Sequence, residues 1–373
     1  MDEKRNAILT IGLVCAILLV ITVADMFHSD RIYSETENRV LASKPEMTEE
    51  GIKSGEYGAE YEEYITDQFV GRDKWIGIKT KSDILLQKKD INGVYLGEDG
   101  YLIEQHLPDE YSGAQERKKV ALLEKLTEDW NATVMLIPTA DNIITDKLPA
   151  NASFYDQTQL LAYVAQRIGS RHYIDVYTAL KEHSREEIYY RTDHHWTSLG
   201  AYYGYLAWAQ AAGEEPYDYN VSGMRTASDD FLGTLHSRLN IPMDGERISY
   251  FPETIKRPVS IVYDFEKAAA SYYEKGYLDT KNKYGFFLDD NHAFTSIDTS
   301  YRSKGTLFVI KDSYANSLIP LLTPHYSKIY VVDLRYFNGS LYNLMASCEP
   351  EEGMDVLVVY NCIHFLEDFQ YYE

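Results

Sequence analysis

Short apolar runs that alternate with helical segments set the fold class of most of this chain. The runs ATVMLIPTAD (132–141), GTLFVI (305–310), SKIYVVDLRYF (327–337) and DVLVVYNCIHFL (355–366) are rich in β-branched residues. Continuous apolar runs of this length are typical of strands that are buried on both faces. We therefore predict an α/β fold in which a mostly parallel sheet carries helices on both faces.

Further elements are predicted between and ahead of these strands. Residues 115–131 and 157–169 are expected to be helices, and HYIDVYTAL (172–180) a strand that enters a short helix. Upstream, two apolar runs flank Glu98-Asp99-Gly100, and Asp-Gly between such runs is a strong hairpin signal. A β-hairpin therefore opens the folded body near Ile91.

The N-terminus predicts a membrane anchor. Lys4 and Arg5 precede Ala7–Val23, a run without a charge, and about 20 apolar residues span a bilayer. A cleaved signal peptide, the alternative, has a shorter apolar core and a small-residue exit site. We assign 7–27 as a single-pass anchor and 1–6 as a cytoplasmic stub, because basic residues stay on the cytoplasmic side. The rest of the chain is then extracellular.

The remaining chain divides into a helical juxtamembrane segment, 28–90, and one domain, 91–373. Two amphipathic helices are predicted in the first segment, with Tyr61, Ile65, Trp75 and Ile78 among their apolar positions.

Charge and cysteine content restrict the function classes. The net charge is −22, which argues against nucleic acid as a partner, because phosphate binding needs a basic face, and against docking on an anionic membrane surface. Cys348 and Cys362 form one disulfide or stay as two buried thiols. The sequence has neither a CxxC motif nor a Cys/His cluster with zinc-site spacing, so no cofactor or metal is assigned.

The stretch RTDHHW (191–196) supplies a candidate base and its orienting carboxylate. In an extended segment Asp193 and His195 point to the same side, and His194 points to the other. Asp193 can then hold one imidazole nitrogen while the other nitrogen faces a nucleophile.

Ser313 is the candidate nucleophile. It follows a strand that ends near Lys311, and a helix is expected to begin near Ala315. Ligands of α/β sheets bind at the carboxyl ends of strands, and the backbone N–H groups of Ser313 and Tyr314 would face an oxyanion there. Alternatively, Asp312 and Ser313 are ordinary helix-capping residues.

A metal site is the other interpretation of the two histidines. His194, His195 and Asp193 would be ligands, and His236 or His292 would complete the site, although no spacing motif supports this set.

The chain resembles the DHHW proteins of Gram-positive bacteria, which are related to the SGNH-hydrolase-like domains of alginate O-acetyltransferases. The resemblance rests on RTDHHWTSLGAY (191–202), VIKDSYANSLIPLL (309–322) and VVDLRYF (331–337), supported by upstream segments at 37–48, 67–76 and 92–104.

The resemblance implies a flavodoxin-like sheet with a Ser–His–Asp triad that acts on acetyl esters of a cell-envelope polysaccharide. Asp193, His195 and Ser313 match the triad positions. It further implies that a multi-pass membrane acyltransferase delivers the acyl group. Some relatives carry a Gly-Asn pair ahead of the nucleophile; here the pair is Asp290-Asn291, so the Asn291 amide is a candidate oxyanion donor.

Three further residues are assigned to the substrate region: Trp196 as a wall of the pocket, Tyr314 beside the nucleophile, and Arg191 as a partner of Asp193 or a sugar. The resulting function is an extracytoplasmic serine O-acyltransferase or esterase. The alternatives are an inactive binding or scaffold module of the cell envelope, and a metal-dependent envelope hydrolase.

Overall fold

The computed structural model describes residues 2–34, 39–301, 305–350 and 353–372. The helices are α1 Asp2–Met26, α2 Glu49–Ser54, α3 Glu56–Gln68, α4 Arg72–Leu85, α5 Gly113–Trp130, α6 Ala140–Ile143, α7 Gln157–Ile168, α8 Val176–Glu182, α9 Ser198–Ala212, α10 Thr234–Leu239, α11 Ile319–Leu322, α12 Leu341–Cys348 and α13 Cys362–Asp368. The strands are β1 Tyr33–Ser34, β2 Arg39–Val40, β3 Asp90–Ile91, β4 Val94–Leu96, β5 Leu102–Glu104, β6 Thr133–Ile137, β7 Arg225–Phe231, β8 Glu246–Tyr250, β9 Ser260–Tyr263, β10 Lys267–Ala269, β11 Phe294–Asp298, β12 Thr306–Lys311, β13 Lys328–Asp333 and β14 Met354–Asn361.

The described chain forms two compact units. The smaller unit contains the chain up to Lys88 together with Ser237–Pro242, and the larger unit contains Lys89–His236 and the chain from Met243 onward.

The larger unit is built on a seven-stranded sheet in the order β10-β9-β11-β13-β12-β14-β6. Strands β13, β12, β14 and β6 are parallel to one another, whereas β10, β9 and β11 pair antiparallel, and β11 is antiparallel to β13. The sheet is therefore mixed, and the prediction of a mostly parallel sheet was wrong. Residues 299–305, which join β11 to β12, are too few for the crossover of a dozen or more residues that parallel strands need.

Helices cover both faces of this sheet, as predicted. Along β12, Leu307 and Val309 pack into one core with residues of α8 and α9. Phe308 and Ile310 pack into a second core with residues of α5, α7, α12 and α13. This alternation follows from the two-residue period of a strand, and it explains why β12 is apolar at nearly every position.

The hairpin is confirmed and the strand at 172–180 is not. β4 and β5 pair antiparallel around Glu98–Gly100, where Asp99 and Gly100 have positive φ. In 172–180 only Tyr173 makes an isolated bridge, to Val134, and α8 begins at Val176 after the Asp175 cap. The Asp175 side chain accepts a hydrogen bond from the Thr178 N–H, and this cap favours a helix over the β-branched signal.

The smaller unit has three helices after α1, one more than predicted. Thr48 caps the additional helix α2 through the Gly51 N–H. Helix α1 contains Lys4–Met26, a stretch long and apolar enough to cross a membrane, and its side chains are not buried. A membrane anchor and a signal sequence both meet this description.

Cys348 and Cys362 are free thiols and do not form the disulfide that the sequence left open as one alternative.

Candidate active site

The turn after β12 holds Ser313 at the carboxyl end of the parallel strands. Asp312 caps a 3₁₀ helix, Ser313–Ser317, because its Oδ1 accepts the Tyr314 N–H at 3.0 Å. Its Oδ2 accepts the Asn361 N–H of β14 at 2.9 Å. The helical turn therefore begins at Ser313 rather than near Ala315. The Tyr314 N–H, which we had expected to face an oxyanion, is used by this cap.

The RTDHHW segment is a tight bend and not an extended strand. Tyr189 and Trp196 form an antiparallel bridge, and the Tyr190 N–H donates to the His195 carbonyl. Inside the bend, Asp193 Oδ1 accepts the backbone N–H of His195 at 3.0 Å. Side chains of aspartate commonly close such turns two residues on.

This bend joins Asp193, His195 and Ser313 in one chain of hydrogen bonds. Asp193 Oδ1 lies 2.6 Å from His195 Nδ1, and His195 Nε2 lies 2.8 Å from Ser313 Oγ. All three residues are nearly buried, at 3%, 5% and 5% exposure. The geometry is that of a nucleophile, a base and an orienting carboxylate.

Residues of the α10 region complete the surroundings of Asp193. Its Oδ2 accepts the Thr234 N–H at 2.9 Å and the Thr234 hydroxyl at 3.1 Å. Burial opposes ionisation of Asp193, but the neighbouring His194 and His195 and these hydrogen bonds hold the pKa of its carboxyl well below the usual range. Asp193 is thus a carboxylate at neutral pH.

Comparison with known proteins places this chain in a family. The sequence model described as "DHHW protein" matches residues 93–332. The chain belongs to the DHHW family. This confirms the resemblance drawn from the RTDHHW motif and its companions. No curated protein matches the sequence.

Three solved structures are similar to this DHHW protein. A DHHW family protein from Eubacterium siraeum is 24% identical over 74% of this chain and 93% of its own, with a TM-score of 0.61. Bacillus cereus PatB1, solved with a sulfonyl adduct, is 20% identical over 73% and 95%, with a TM-score of 0.58. The O-acetyltransferase domain of Pseudomonas putida AlgJ is 13% identical over 74% and 94%, with a TM-score of 0.45. The first two likenesses show a shared fold.

In this DHHW protein a tyrosine that the sequence analysis missed covers the imidazole of His195. The ring of Tyr284 stacks on His195 with centroids 3.8 Å apart and an angle of 11° between the planes. The Tyr284 hydroxyl donates to the Ser313 carbonyl at 3.2 Å. Tyr284 therefore contacts both His195, the candidate base, and the backbone of Ser313, the candidate nucleophile. Its position, 89 residues after His195, carries no local signal.

His194 lies beside His195 and not on the opposite side of the chain. The two ring centroids are 3.9 Å apart, because the bend brings consecutive side chains together. His194 Nδ1 is 2.8 Å from Thr234 Oγ1. Burial, with the nearby His195 as a second cause, lowers the pKa of His194 to about 3. His194 is therefore neutral at neutral pH.

Trp196 and Tyr314 connect the RTDHHW bend to the turn that contains Ser313. Trp196 is fully buried, and its Nε1–H donates to the Tyr314 carbonyl at 2.8 Å. The Tyr314 hydroxyl donates to the His194 carbonyl. Because Trp196 is fully buried, it does not wall an open pocket, contrary to the prediction. Together Trp196 and Tyr314 tie the RTDHHW bend to the turn that carries Ser313.

Asn291 is engaged in a buried polar cluster. Its Oδ1 accepts from Lys311 Nζ at 2.9 Å, and its Nδ2 donates to Asp290 Oδ1 at 2.9 Å. Lys311 also pairs with Asp333 at 3.0 Å. Asp290 has φ +70°, a conformation that glycine adopts easily. One N–H of the Asn291 amide is thus used within the protein, and its role as an oxyanion donor stays a prediction.

Arg191 does not contact Asp193. Its Nε lies 4.0 Å from Glu246 Oε2, and Glu246 also accepts the backbone N–H groups of Arg191 and Thr192 at 2.7 Å each. Arg191 and Glu246 line a cavity of ≈ 480 Å³ on the larger unit.

Asp193, His194 and His195 each offer one potential metal-ligand atom within 4.8 Å of the others. Both nitrogens of His195 and Nδ1 of His194 already have hydrogen-bonding neighbours. His236 is near Lys281, and His292 pairs with Asp264 and Asp289. Among the described residues, neither of these histidines joins the cluster. A triad therefore accounts for more of the geometry than a metal site does.

A polar cavity of ≈ 390 Å³ lies beside the triad, lined by His194 and Tyr314. Its lining also includes Glu104, His106, Tyr111 and Glu367. His106 Nδ1 lies 3.0 Å from Asp141 Oδ2. Burial opposes protonation of His106, but the Asp141 carboxylate and Glu104 raise its pKa to about 10. The cavity thus contains an imidazolium between carboxylates.

Proposed function

We propose that this protein is an extracytoplasmic, membrane-anchored serine O-acyltransferase or esterase that acts on acetyl groups of a cell-envelope polysaccharide. The observation that carries this proposal is the continuous hydrogen-bonded chain from Asp193 through His195 to Ser313. The anchor is α1, and a multi-pass membrane acyltransferase is the proposed source of the acyl group.

The first half-reaction forms an acyl-enzyme. Ser313 Oγ attacks the acyl carbonyl carbon while His195 Nε2 takes the hydroxyl proton. The C–O or C–S bond to the donor then breaks, and His195 returns the proton to the leaving group. Asp193, ionised and bonded to Nδ1, keeps the histidine in the tautomer that can accept this proton and stabilises the imidazolium.

The second half-reaction transfers or releases the acyl group. His195 Nε2 removes a proton from a glycan hydroxyl or from water, whose oxygen attacks the acyl-enzyme carbonyl. Ser313 Oγ leaves and recovers its proton from His195. Transfer and hydrolysis use the same residues and differ only in the acceptor.

Two neighbours of His195 fit a role in which its charge changes. The face of Tyr284 stacked on the ring can stabilise the imidazolium, since aromatic faces attract cations. His194 is neutral, so no second positive charge opposes protonation of His195. The polar cavity lined by His194 is the proposed entry for the acceptor, because its carboxylates and Tyr111 can bind sugar hydroxyl groups and stack on a sugar ring.

The test uses the full chain in detergent with an activated acetyl ester and with a small sulfonyl fluoride. The related PatB1 was solved with a sulfonyl adduct, which motivates the reagent. We expect one sulfonyl group per chain by intact mass, carried on Ser313, and loss of both labelling and hydrolysis in Ser313→Ala. Asp193→Asn should lower kcat/KM by ~10⁴-fold while leaving the fold intact.

The outcomes separate the alternatives. Activity and labelling that persist in Ser313→Ala would refute the nucleophile. Activity that a chelator removes would favour the metal-dependent hydrolase, for which Asp193, His194 and His195 are the ligands. Absence of labelling and turnover in the wild type would favour a catalytically inactive scaffold. Two observations fit the inactive scaffold: the near-complete burial of Ser313 and the use of the Tyr314 N–H by the Asp312 cap.

A further inference from the structure

Helix α4 presents an apolar stripe to the outside of the smaller unit. Trp75, Ile78 and Leu85 are 47%, 53% and 84% exposed. Their spacing of three and seven residues places them on one face of the helix. Leu86, at the C-cap, extends the same stripe. Gly77 and Thr80, on the opposite face, are buried.

The stripe lies in the one strongly basic part of an acidic chain. Arg72–Lys89 contains six basic and two acidic residues, whereas the whole chain has a net charge of −22. Lys74 and Lys81 are exposed and border the stripe. An apolar stripe that contains tryptophan and is flanked by lysines is the pattern of a helix that lies in the interface of a membrane.

The start of α4 is bonded to the end of α1. Asp25 Oδ1 accepts the Val70 N–H at 3.0 Å. The Arg31 N–H donates to Gln68 Oε1 at 2.8 Å, and the Arg31 guanidinium donates to Asp73 Oδ2 at 3.0 Å. These contacts join the last turn of α1 and the residues after it to the turn between α3 and α4.

The length of α1 puts this junction at the membrane surface. Lys4–Met26 has 23 residues, which at 1.5 Å per residue gives about 34 Å. The hydrocarbon core of a bilayer is about 30 Å thick. If α1 spans it, Asp25 and Val70 lie in the headgroup region, and α4 begins two residues further on.

We propose that α4 lies on the outer surface of the bilayer that α1 crosses, with Trp75, Ile78 and Leu85 among the headgroups and upper acyl chains. The flanking lysines contact anionic lipid headgroups. This inference rests on one part of the proposed function, the assignment of α1 as a membrane span. Helix α3 cannot take this place, because it carries Glu56, Glu60, Glu62, Glu63 and Asp67.

The test measures the depth of Trp75 in the full chain, reconstituted in phosphatidylcholine nanodiscs with acyl chains brominated near the headgroup. Subtracting the emission of Trp75→Phe isolates the Trp75 signal. We expect bromolipid to quench Trp75 and aqueous iodide to leave it largely unquenched. Y61W in the Trp75→Phe background is the control, since Tyr61 is 38% exposed on the acidic helix α3 of the same unit; we expect the reverse for it. Iodide quenching of Trp75 without bromolipid quenching, or equal bromolipid quenching of both positions, would overturn the proposal.

A second arm tests the charge. Phosphatidylglycerol in the nanodisc should increase the quenching of Trp75, and K74Q/K81Q should remove that increase. An increase of the same size in K74Q/K81Q would refute the role of the lysines. Retention of the chain in the bilayer after an alkaline wash reports on α1 alone. Loss of the chain in that wash would refute the anchor and with it this inference, whereas a retained chain with an unquenched Trp75 would refute the inference only.

Discussion

At the scale of residues, Asp193 connects two segments of the candidate site through its carboxylate. It accepts two hydrogen bonds from His195 and two from Thr234, so both of its oxygens are used. One set comes from within the RTDHHW bend and the other from the start of α10. Because the two sets lie on different segments, the orientation of His195 depends on how closely α10 approaches.

The first prediction concerns this approach. A Cβ on Gly233 would lie 2.3 Å from Asp193 Cβ and Oδ2, a distance at which the carboxylate must move. We expect Gly233→Ala to lower kcat/KM by roughly 10²-fold, since a misplacement of about 1 Å in a catalytic group can cost that much. Hydrolysis of the activated acetyl ester measures it. Gly305→Ala is the matched control, because a Cβ there meets no atom within 4 Å; an equal loss in both variants would contradict the argument.

The second prediction concerns pH and His106. The folded pKa is raised to about 10 from an ordinary 6.5 by Asp141 and Glu104. A raised pKa contributes stability that is complete below pH 6.5 and is lost as the pH rises through 10. The free energy of unfolding of the wild type should therefore fall across this window, relative to His106→Gln, by up to about 1.4 kcal/mol per pH unit. Denaturant titrations of the two proteins at several pH values measure the difference. Parallel pH curves would contradict it.

The three residues of the candidate triad could be predicted from the sequence, whereas the residues that surround them could not. Asp193, His195 and Ser313 carry recognisable chemistry next to strand and helix signals. The predicted direction of the His194 side chain was wrong because it holds only for an extended backbone, whereas the Asp193 side chain closes a turn here. Tyr284, Gly233 and Thr234 act through tertiary contacts, so no periodicity or motif could have selected them.

At the scale of elements, helix α9 holds the nucleophile turn through Trp196. The indole donates to the Tyr314 carbonyl, and its ring rests against Gly204 of α9. A Cβ on Gly204 would lie 2.7 Å from the ring. The close approach of α9 to the RTDHHW bend therefore fixes the position of Trp196, and through it the position of the turn that carries Ser313.

The third prediction is that Gly204→Ala lowers both stability and activity. Alanine is favoured over glycine in a helix interior by about 1 kcal/mol, but overpacking a filled core costs about 1–3 kcal/mol. The cost of overpacking should exceed the gain in helix propensity, so the variant should be less stable. Displacement of Trp196 should lower kcat and change KM less. Thermal unfolding and ester kinetics measure the two effects. Gly58→Ala in α3, where a Cβ meets nothing within 4 Å, should be neutral or stabilising; a gain in stability for Gly204→Ala would refute the packing argument.

The regular elements followed from patterns that the sequence contains, and their arrangement did not. The buried strands β6, β12, β13 and β14 and the helices α5 and α7 were predicted close to their observed bounds. Strands β9 to β11 are short and polar in part, so their antiparallel addition to the sheet left no distinct signal. A strand's direction depends on connection length and on which neighbour it meets, and the second of these is a property of the folded molecule.

At the scale of the whole molecule, the triad and the proposed membrane contacts belong to different units. All three triad residues lie in the larger unit, whereas α1 and α4 lie in the smaller one. The net charge of −22 had argued against binding to an anionic membrane surface, but charge acts locally, within a Debye length of about 10 Å. The basic segment Arg72–Lys89 can therefore bind lipid despite the acidic total.

The fourth prediction follows from this division. A chain that begins at residue 28 lacks α1 but keeps every hydrogen bond of the triad, so its kcat/KM on a small activated ester should stay within roughly twofold of the full chain, as for distant independent sites. If the proposed function holds, acetylation of the envelope polysaccharide in cells should fall sharply, because the protein is no longer held beside the proposed membrane-delivered donor. Ester assays and polysaccharide acetyl content measure the two, with Ser313→Ala in the full chain as the control that loses both. Loss of ester hydrolysis on removal of α1 would show that the anchor also supports the catalytic site, and unchanged polysaccharide acetylation would show that the donor does not come from the membrane.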